Sequence, residues 1–419
     1  MFMFRRLILI IAAACFILPS AAFASGFAIN EQGAKALGMG GAFAAQADDP
    51  TAVYYNPAGI TQLEGTQVSL GFSLIQPSTE FEGQYFGGSV SGETEDKTFV
   101  IPNLYITTKI NDRLSFGFGS FINFGLGMDW KDDWAGAYLV GGRNAEIATY
   151  TFNPVLAYRV TNDLSLAAGL VYQRMDVTIE SMTTPAALAS GIPSSPLKLE
   201  GDSDAWGWNV AAHYKLGKNW RFGLSYRPEM KHEVEGTSKT DSPLAAVYEI
   251  SGDFKADITL PAVTYVAAAW SNGKWTFEFD GQYTQWSSYD ELNPEGLSDI
   301  GVKPKNWDDV WALRFGGQYK LNEMVDLRAG IIRDYSPIPD EWVDPMLPSG
   351  DRWLYTVGAG FHFGKSFDLD LAYNYLDDEN RKFDNEAGNI VKNTDATRLT
   401  GEFKNTDAHI FAVNLTYKF

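Results

Sequence analysis

From about residue 66 to the C terminus, apolar and polar residues alternate with a period of two, the mark of strands with two unlike faces. The last segment is the cleanest: Phe411, Val413, Leu415, Tyr417 and Phe419 share one face, opposite Ala412, Asn414, Thr416 and Lys418. The pattern recurs along the chain. Trp206, Trp208, Val210 and Tyr214 oppose Gly207, Asn209, Ala211 and His213; Trp220, Phe222, Leu224 and Tyr226 oppose Arg221, Gly223, Ser225 and Arg227. Trp275, Phe277 and Phe279 oppose Thr276, Glu278 and Asp280, and residues 114–119, 149–158, 311–320 and 367–374 behave alike. Aromatic residues gather at the ends of the apolar face, as an interfacial girdle would.

The connections alternate in length. Short turns are predicted at 111–112, 161–163, 217–219, 272–273, 322–323 and 364–366, each built on Asn, Asp, Gly or Lys. Long polar loops are predicted near 77–96, 126–144, 182–202, 234–252, 289–306, 337–351 and 376–406. Interleaving six turns with seven loops gives about fourteen strands, an even number, with the short turns on the periplasmic side. The expected fold is all-β: a closed transmembrane antiparallel β-barrel, because an open sheet edge cannot sit in lipid. Wall side chains alone do not fill a barrel of this width.

Residues 26–61 have neither period. They are rich in Gly and Ala, carry Asp48-Asp49-Pro50 and close on Asn56-Pro57-Ala58-Gly59, so they favour turns and close backbone packing. Residues 25–65 are therefore expected to form a hatch, or plug, inside a barrel spanning 66–419. Within it, Phe27, Ile29, Asn30 and Leu37 are assigned to a movable gate. Asp48, Asp49, Asn56, Pro57 and Ala58 are assigned to an anchor, the two aspartates capping the chain or pairing with inward arginines of the wall.

Composition narrows the compartment. Arg5-Arg6, an apolar run and Ala22-Phe23-Ala24 read as a signal peptide over residues 1–24, too short to span a membrane. No later run of 18 apolar residues offers a spanning helix, yet the 419 residues include 14% aromatics and 40 glycines. Cys15, the only cysteine, lies in the leader behind a poor lipobox, so disulfides are not expected. With 52 acidic against 33 basic residues, the chain lacks the electrostatic footprint of a nucleic-acid binder. The plain reading of the acids is solvated loops; the sharper one is divalent-ion bridging to anionic lipid.

Two other classes are weaker. His213, His232, His362 and His409 are scattered, in no nucleophile–base motif and in no metal-ligand spacing, which argues against a lipid-modifying enzyme. A general porin does not account for the plug. No cofactor and no metal are expected.

The sequence resembles the FadL/TodX family of outer-membrane transporters for hydrophobic compounds. The resemblance rests on Gly26-Phe27, Asn30-Glu31, Leu37-Gly38, Ala47-Asp48-Asp49 and Asn56-Pro57-Ala58, then Asn123 to Leu126 and Val171 to Arg174. Asp334-Tyr335-Ser336-Pro337-Ile338-Pro339 and Asp351 to Leu354 complete it, and the motifs keep their order. The family implies fourteen strands with a hatch, and passive uptake of hydrophobic molecules, long-chain fatty acids foremost. Substrate is held among extracellular loops, bound in the lumen and released sideways where the third strand kinks. Monoaromatic or other neutral hydrocarbons are the alternative substrates. The implied setting is a monomer among outer-membrane lipid and lipopolysaccharide.

Several residues then acquire roles. Asn123, Phe124, Gly125, Leu126 and Gly127 are expected at the kink, since glycine within a strand marks a bulge or close approach. The apolar loop segments 185–193 and 243–248 suit first capture. A carboxylate needs a partner away from water, and the resemblance suggests Arg174. Its strand parity is that of Leu164, Leu166, Leu170 and Tyr172, so Arg314, Arg328 and Arg333 stand as alternatives.

Overall fold

The structure, a computed structural model, describes residues 26–85, 87–139, 142–183, 195–246, 249–297, 303–384 and 399–419. The leader over 1–24 and the capture segment 185–193 lie outside the described residues, as do Val247 and Tyr248 of the second capture segment.

Fourteen antiparallel strands close into one barrel. In order they are β1 (Thr66–Tyr85), β2 (Phe99–Lys109), β3 in two pieces (Leu114–Phe121 and Gly125–Asp129), β4 (Asn144–Arg159) and β5 (Leu164–Met182). Then come β6 (Pro196–Leu216), β7 in two pieces (Trp220–Arg227 and Met230–Thr240) and β8 in two pieces (Gly252–Leu260 and Val263–Ser271). The ring continues with β9 (Trp275–Thr284), β10 (Val310–Lys320), β11 (Val325–Asp334), β12 (Arg352–Phe363), β13 (Phe367–Asp378) and β14 (Thr400–Lys418). Each strand pairs with its sequence neighbours, and β14 returns to β1 from Gln67↔Lys418 to Gln84↔Thr400. A bond from the Phe419 amide to the Thr66 carbonyl at 2.9 Å finishes the seam.

The turns owe their tightness to local chemistry. The Asn111 side chain accepts from the amides of Arg113 and Leu114, and Asn272 does the same for Lys274 and Trp275. All six predicted turns join consecutive strands. The predicted faces hold as well: Trp206, Trp208, Phe279, Phe411 and Tyr417 project from the wall, whereas Asn209, His213, Glu278, Asp280 and Asn414 are buried inside it.

Where the structure departs from expectation is at the top of the barrel. Residues 77–96 are not mainly loop: β1 runs on to Tyr85 and folds back on a strand at Gly88–Glu93. β5 to β8 likewise extend well into stretches read as loops, for example Glu180↔Lys198 and Glu235↔Lys255. Above the membrane both strand faces meet water, so the apolar alternation that reveals a strand is lost.

Candidate functional site

Residues 26–63 lie inside the ring, nearly all buried, against inward-facing residues from Ser73 of β1 and Tyr105 of β2 round to Asn414 of β14. The segment has little regular structure of its own: a helical turn α1 (Ala34–Leu37), a second, α2 (Ala52–Tyr55), and a 3₁₀ turn at Pro57–Gln62. Its unpaired backbone groups therefore depend on the wall. Four consecutive amides find carboxylates on β9. Those of Phe43 and Ala44 donate to Asp280, each at 3.0 Å, and those of Ala45 and Gln46 donate to Glu278 at 2.6 and 2.9 Å. Elsewhere the Ala34 amide donates to Asn414 and the Gly40 amide to Thr356, at 2.8 and 2.9 Å.

The assigned anchor is stitched mostly to itself. Asn56 donates to the carbonyls of Ala44 and Ala212, at 2.7 and 3.0 Å, while its own oxygen accepts from the Ala58 amide and caps the turn that Pro57 begins. Asp48 pairs with Lys35 of the same segment at 2.7 Å, and Asp49 accepts from the Thr51 amide at 2.7 Å. Of the two roles expected for the aspartates, Asp49 takes the capping one, just ahead of α2, while Asp48 pairs with Lys35 of its own segment and not with a wall arginine. Burial raises the Asp49 carboxyl to about 6, and Lys35 lowers it only in part. Glu31 is also raised by burial, against the pull of Arg314 and Arg352.

The assigned gate meets the third strand at its interruption. From Phe121↔Thr151 to Gly125↔Ala148, β3 advances four residues while β4 advances three, so β3 carries one extra residue, a bulge. The kink falls at 122–124; Gly125, Leu126 and Gly127 belong to the second piece, already paired to β4. β2 stays bonded to β3 only as far as Leu104↔Ser120. Its residues 99–103 face no ladder on that side, and Pro102 among them has no amide to offer.

Backbone from the lumen occupies part of the resulting edge. Ala28 bridges Phe124; the Ile29 amide donates to Asn123 at 2.9 Å, and the Gly125 amide donates to Phe27 at 2.8 Å. The Asn123 side chain is turned inward and held by Thr151 and Gln173, at 2.6 and 2.8 Å. Phe27 packs among Phe124, Trp286, Tyr289 and Trp307, with ring centroids 4.8 to 6.1 Å away. Asn30 accepts from Tyr265 at 3.1 Å, and Leu37 is buried at the end of α1.

The two carboxylate-binding candidates part company. β5 is regular here, so Arg174 points outward and pairs with Asp176, Asp202 and Asp204 at 3.1 to 3.7 Å. An arginine on the outer face near the aromatic border costs the barrel about 0–1 kcal/mol, so this position is easily tolerated. Arg174 is therefore corrected to an outer-face residue. Arg333 is bound by Asp351 and Glu379, each at 2.9 Å, and Arg328 is enclosed with Asp370 and Asp326. Arg314 faces the lumen and donates to Gln282 at 2.6 Å.

Sequence reasoning missed Lys303. It borders an apolar cavity of about 60 Å³ lined by Val177, Leu199, Val234, Phe254 and Ile258 at the extracellular end of β5 to β8. Lys305 is taken by Asp344 at 2.9 Å, but Lys303 has no ion pair among the described residues. Burial lowers its pKa, with Asp344 acting the other way. A half-buried ammonium beside an apolar cavity suits a molecule with an acidic head and an apolar tail. No local pattern in the sequence announces this, since Val177 and Lys303 are joined only by the fold.

Known proteins share this architecture. The chain is 27% identical to the long-chain fatty acid transport protein of Escherichia coli, over 98% of each chain. The crystal structure of a Pseudomonas aeruginosa FadL homologue superposes with a TM-score of 0.82 at 21% identity, covering 94% of this chain and 100% of that one. The Pseudomonas putida toluene transporter TodX gives 0.68 at 17% identity, over 92% and 98%. The family model for outer membrane protein transport proteins (OMPP1/FadL/TodX) matches residues 15–419, and the chain belongs to that family of outer-membrane channels for hydrophobic compounds, which are not enzymes.

Proposed function

We propose that this barrel carries hydrophobic molecules bearing a carboxylate, long-chain fatty acids foremost, from the cell surface into the outer membrane through its wall. The observation that carries the reading is the interrupted wall between residues 99–103 and the bulge of β3, whose free edge is partly occupied by residues 27–29. An apolar solute gains nothing from a wet lumen, whereas a sideways exit delivers it to lipid without crossing water. In this scheme Lys303, with Arg314 deeper in the lumen, offers charge to the head group, and the apolar cavity widens around the tail. Residues 27–29 then leave the edge of β3, while the rest of the hatch stays bound to β9. The expected substrate agrees with what the E. coli relative is described as transporting.

The Phe27–Trp286–Trp307 cluster favours a second reading, in which a neutral aromatic is the natural cargo, as for the toluene transporter it resembles in fold. Binding of oleate, methyl oleate and toluene to the purified protein separates the two. On the fatty-acid reading oleate binds tightest, and Lys303→Gln weakens oleate about tenfold while leaving the ester unchanged. Toluene binding above oleate, with no effect of Lys303→Gln, would move the assignment to the aromatic.

A further inference from the structure

Arg227 closes the first piece of β7 and points into the barrel, where 8% of its surface remains exposed. The other buried lumen arginines have acceptors: Arg328 bonds Asp370, Arg352 bonds Asp334 and Arg314 bonds Gln282. Arg227 has none. Among the described residues no carboxylate lies within ion-pair distance of its guanidinium and no oxygen accepts from it, and Nε is enclosed without a partner. The guanidinium instead rests 5.4 Å from the centre of the Tyr54 ring and 5.6 Å from that of Phe121. Ring faces satisfy the flat side of a guanidinium and leave its edge donors free. The ionisable groups that act on it are the phenols of Tyr54, Tyr265 and Tyr105, all neutral at ordinary pH.

The position matters. Tyr54 belongs to α2 of the hatch, and Phe121 is the last residue of β3 before its interruption. A buried charge held only by ring faces, with no acceptor for its edge donors, is costly to enclose. A planar fork of donors in such a place fits a bidentate acceptor that arrives with the cargo. We propose that Arg227 is a carboxylate-binding station inside the barrel, beside the interruption of β3, which receives the acidic head of the cargo on its way out. This rests on the carboxylate-bearing cargo proposed above. It adds a residue that touches neither the Lys303 cavity nor the edge held by residues 27–29.

The test uses the full-length protein in proteoliposomes, with oleate and methyl oleate as probes and Arg227→Gln, Arg227→Met and Arg227→Lys as variants. Heat-modifiable gel mobility reports the folded barrel, and all three variants are expected to keep it, because no partner is orphaned. Oleate uptake falls about tenfold in Arg227→Gln and Arg227→Met and is partly retained in Arg227→Lys, while the ester enters each at the wild-type rate. Oleate uptake unchanged in the glutamine variant overturns the station. Equal losses of acid and ester overturn it too, as does loss of the folded form in both neutral variants, which would make Arg227 structural. Wild-type protein that admits the ester but not the acid refutes the carboxylate reading itself; that failure is recognisable because it precedes any substitution.

Discussion

The Ile29 amide, in the segment that enters the lumen, donates at 2.9 Å to the carbonyl of Asn123, in the interruption of β3. With the bond from Gly125 to Phe27, it flanks the Ala28–Phe124 bridge on both sides. Ala28 and Phe124 are thus a non-hydrogen-bonded antiparallel pair, the closer kind, with Cα atoms about 4.5 Å apart. That spacing is within reach of a disulfide. In Ala28→Cys/Phe124→Cys, oxidation is expected to lock the segment to the wall and cut oleate uptake at least about tenfold, with full recovery on reduction. Residues 26–419 contain no cysteine of their own to interfere. Uptake indifferent to oxidation, with the cross-link verified by mass, would mean that the edge of β3 is not the way out.

The lasting attachment of the hatch is expected elsewhere, at Glu278 and Asp280. Each accepts two backbone amides, and an amide left buried without an acceptor costs roughly 1–3 kcal/mol. Removing both carboxylates orphans four amides at once, so residues 43–46 should release from β9. Glu278→Ala/Asp280→Ala is expected to insert normally yet conduct small ions in planar bilayers, with Glu278→Gln/Asp280→Asn intermediate because each amide side chain keeps one acceptor oxygen. A sealed double alanine variant would contradict this anchoring.

How much of this was legible follows from how local each signal is. The outward Trp206 and the turn at Asn272 need only neighbours in sequence, so period and turn chemistry revealed them. The glycine signal is legible only in part. Gly125 meets the hatch backbone at Phe27 just after the bulge while Gly127 simply pairs with β4, and Gly223, Gly316 and Gly330 are where the hatch backbone lies against the wall, a Cβ at each colliding with Ala44, Met39 or Gly40. All five glycines look alike in a strand, and only the path of the hatch distinguishes them. Glu278 and Asp280 were seen to face inward, but their partners are backbone amides more than 230 residues away, which no side-chain pattern encodes. The outward direction of Arg174 is legible in the sequence, since its strand parity is that of the apolar outer face.

Asp49 gives the hatch a pH dependence of known sign. Burial holds its carboxyl at about 6, against an ordinary value near 4. Between those limits the folded chain keeps a proton that the unfolded chain has released. The contribution of Asp49 to stability is therefore greatest below about pH 4, falls as pH rises towards 6, and stays at the lower level above it. Asp49→Asn removes the titration but keeps the oxygen that accepts from the Thr51 amide. The variant should unfold at a higher temperature than wild type at pH 7.5, and the difference should shrink to a small fraction of that by about pH 4. Far-UV circular dichroism in detergent reads both curves. A difference that persists undiminished at pH 4 would show that the Asp49 carboxylate is not the group that titrates.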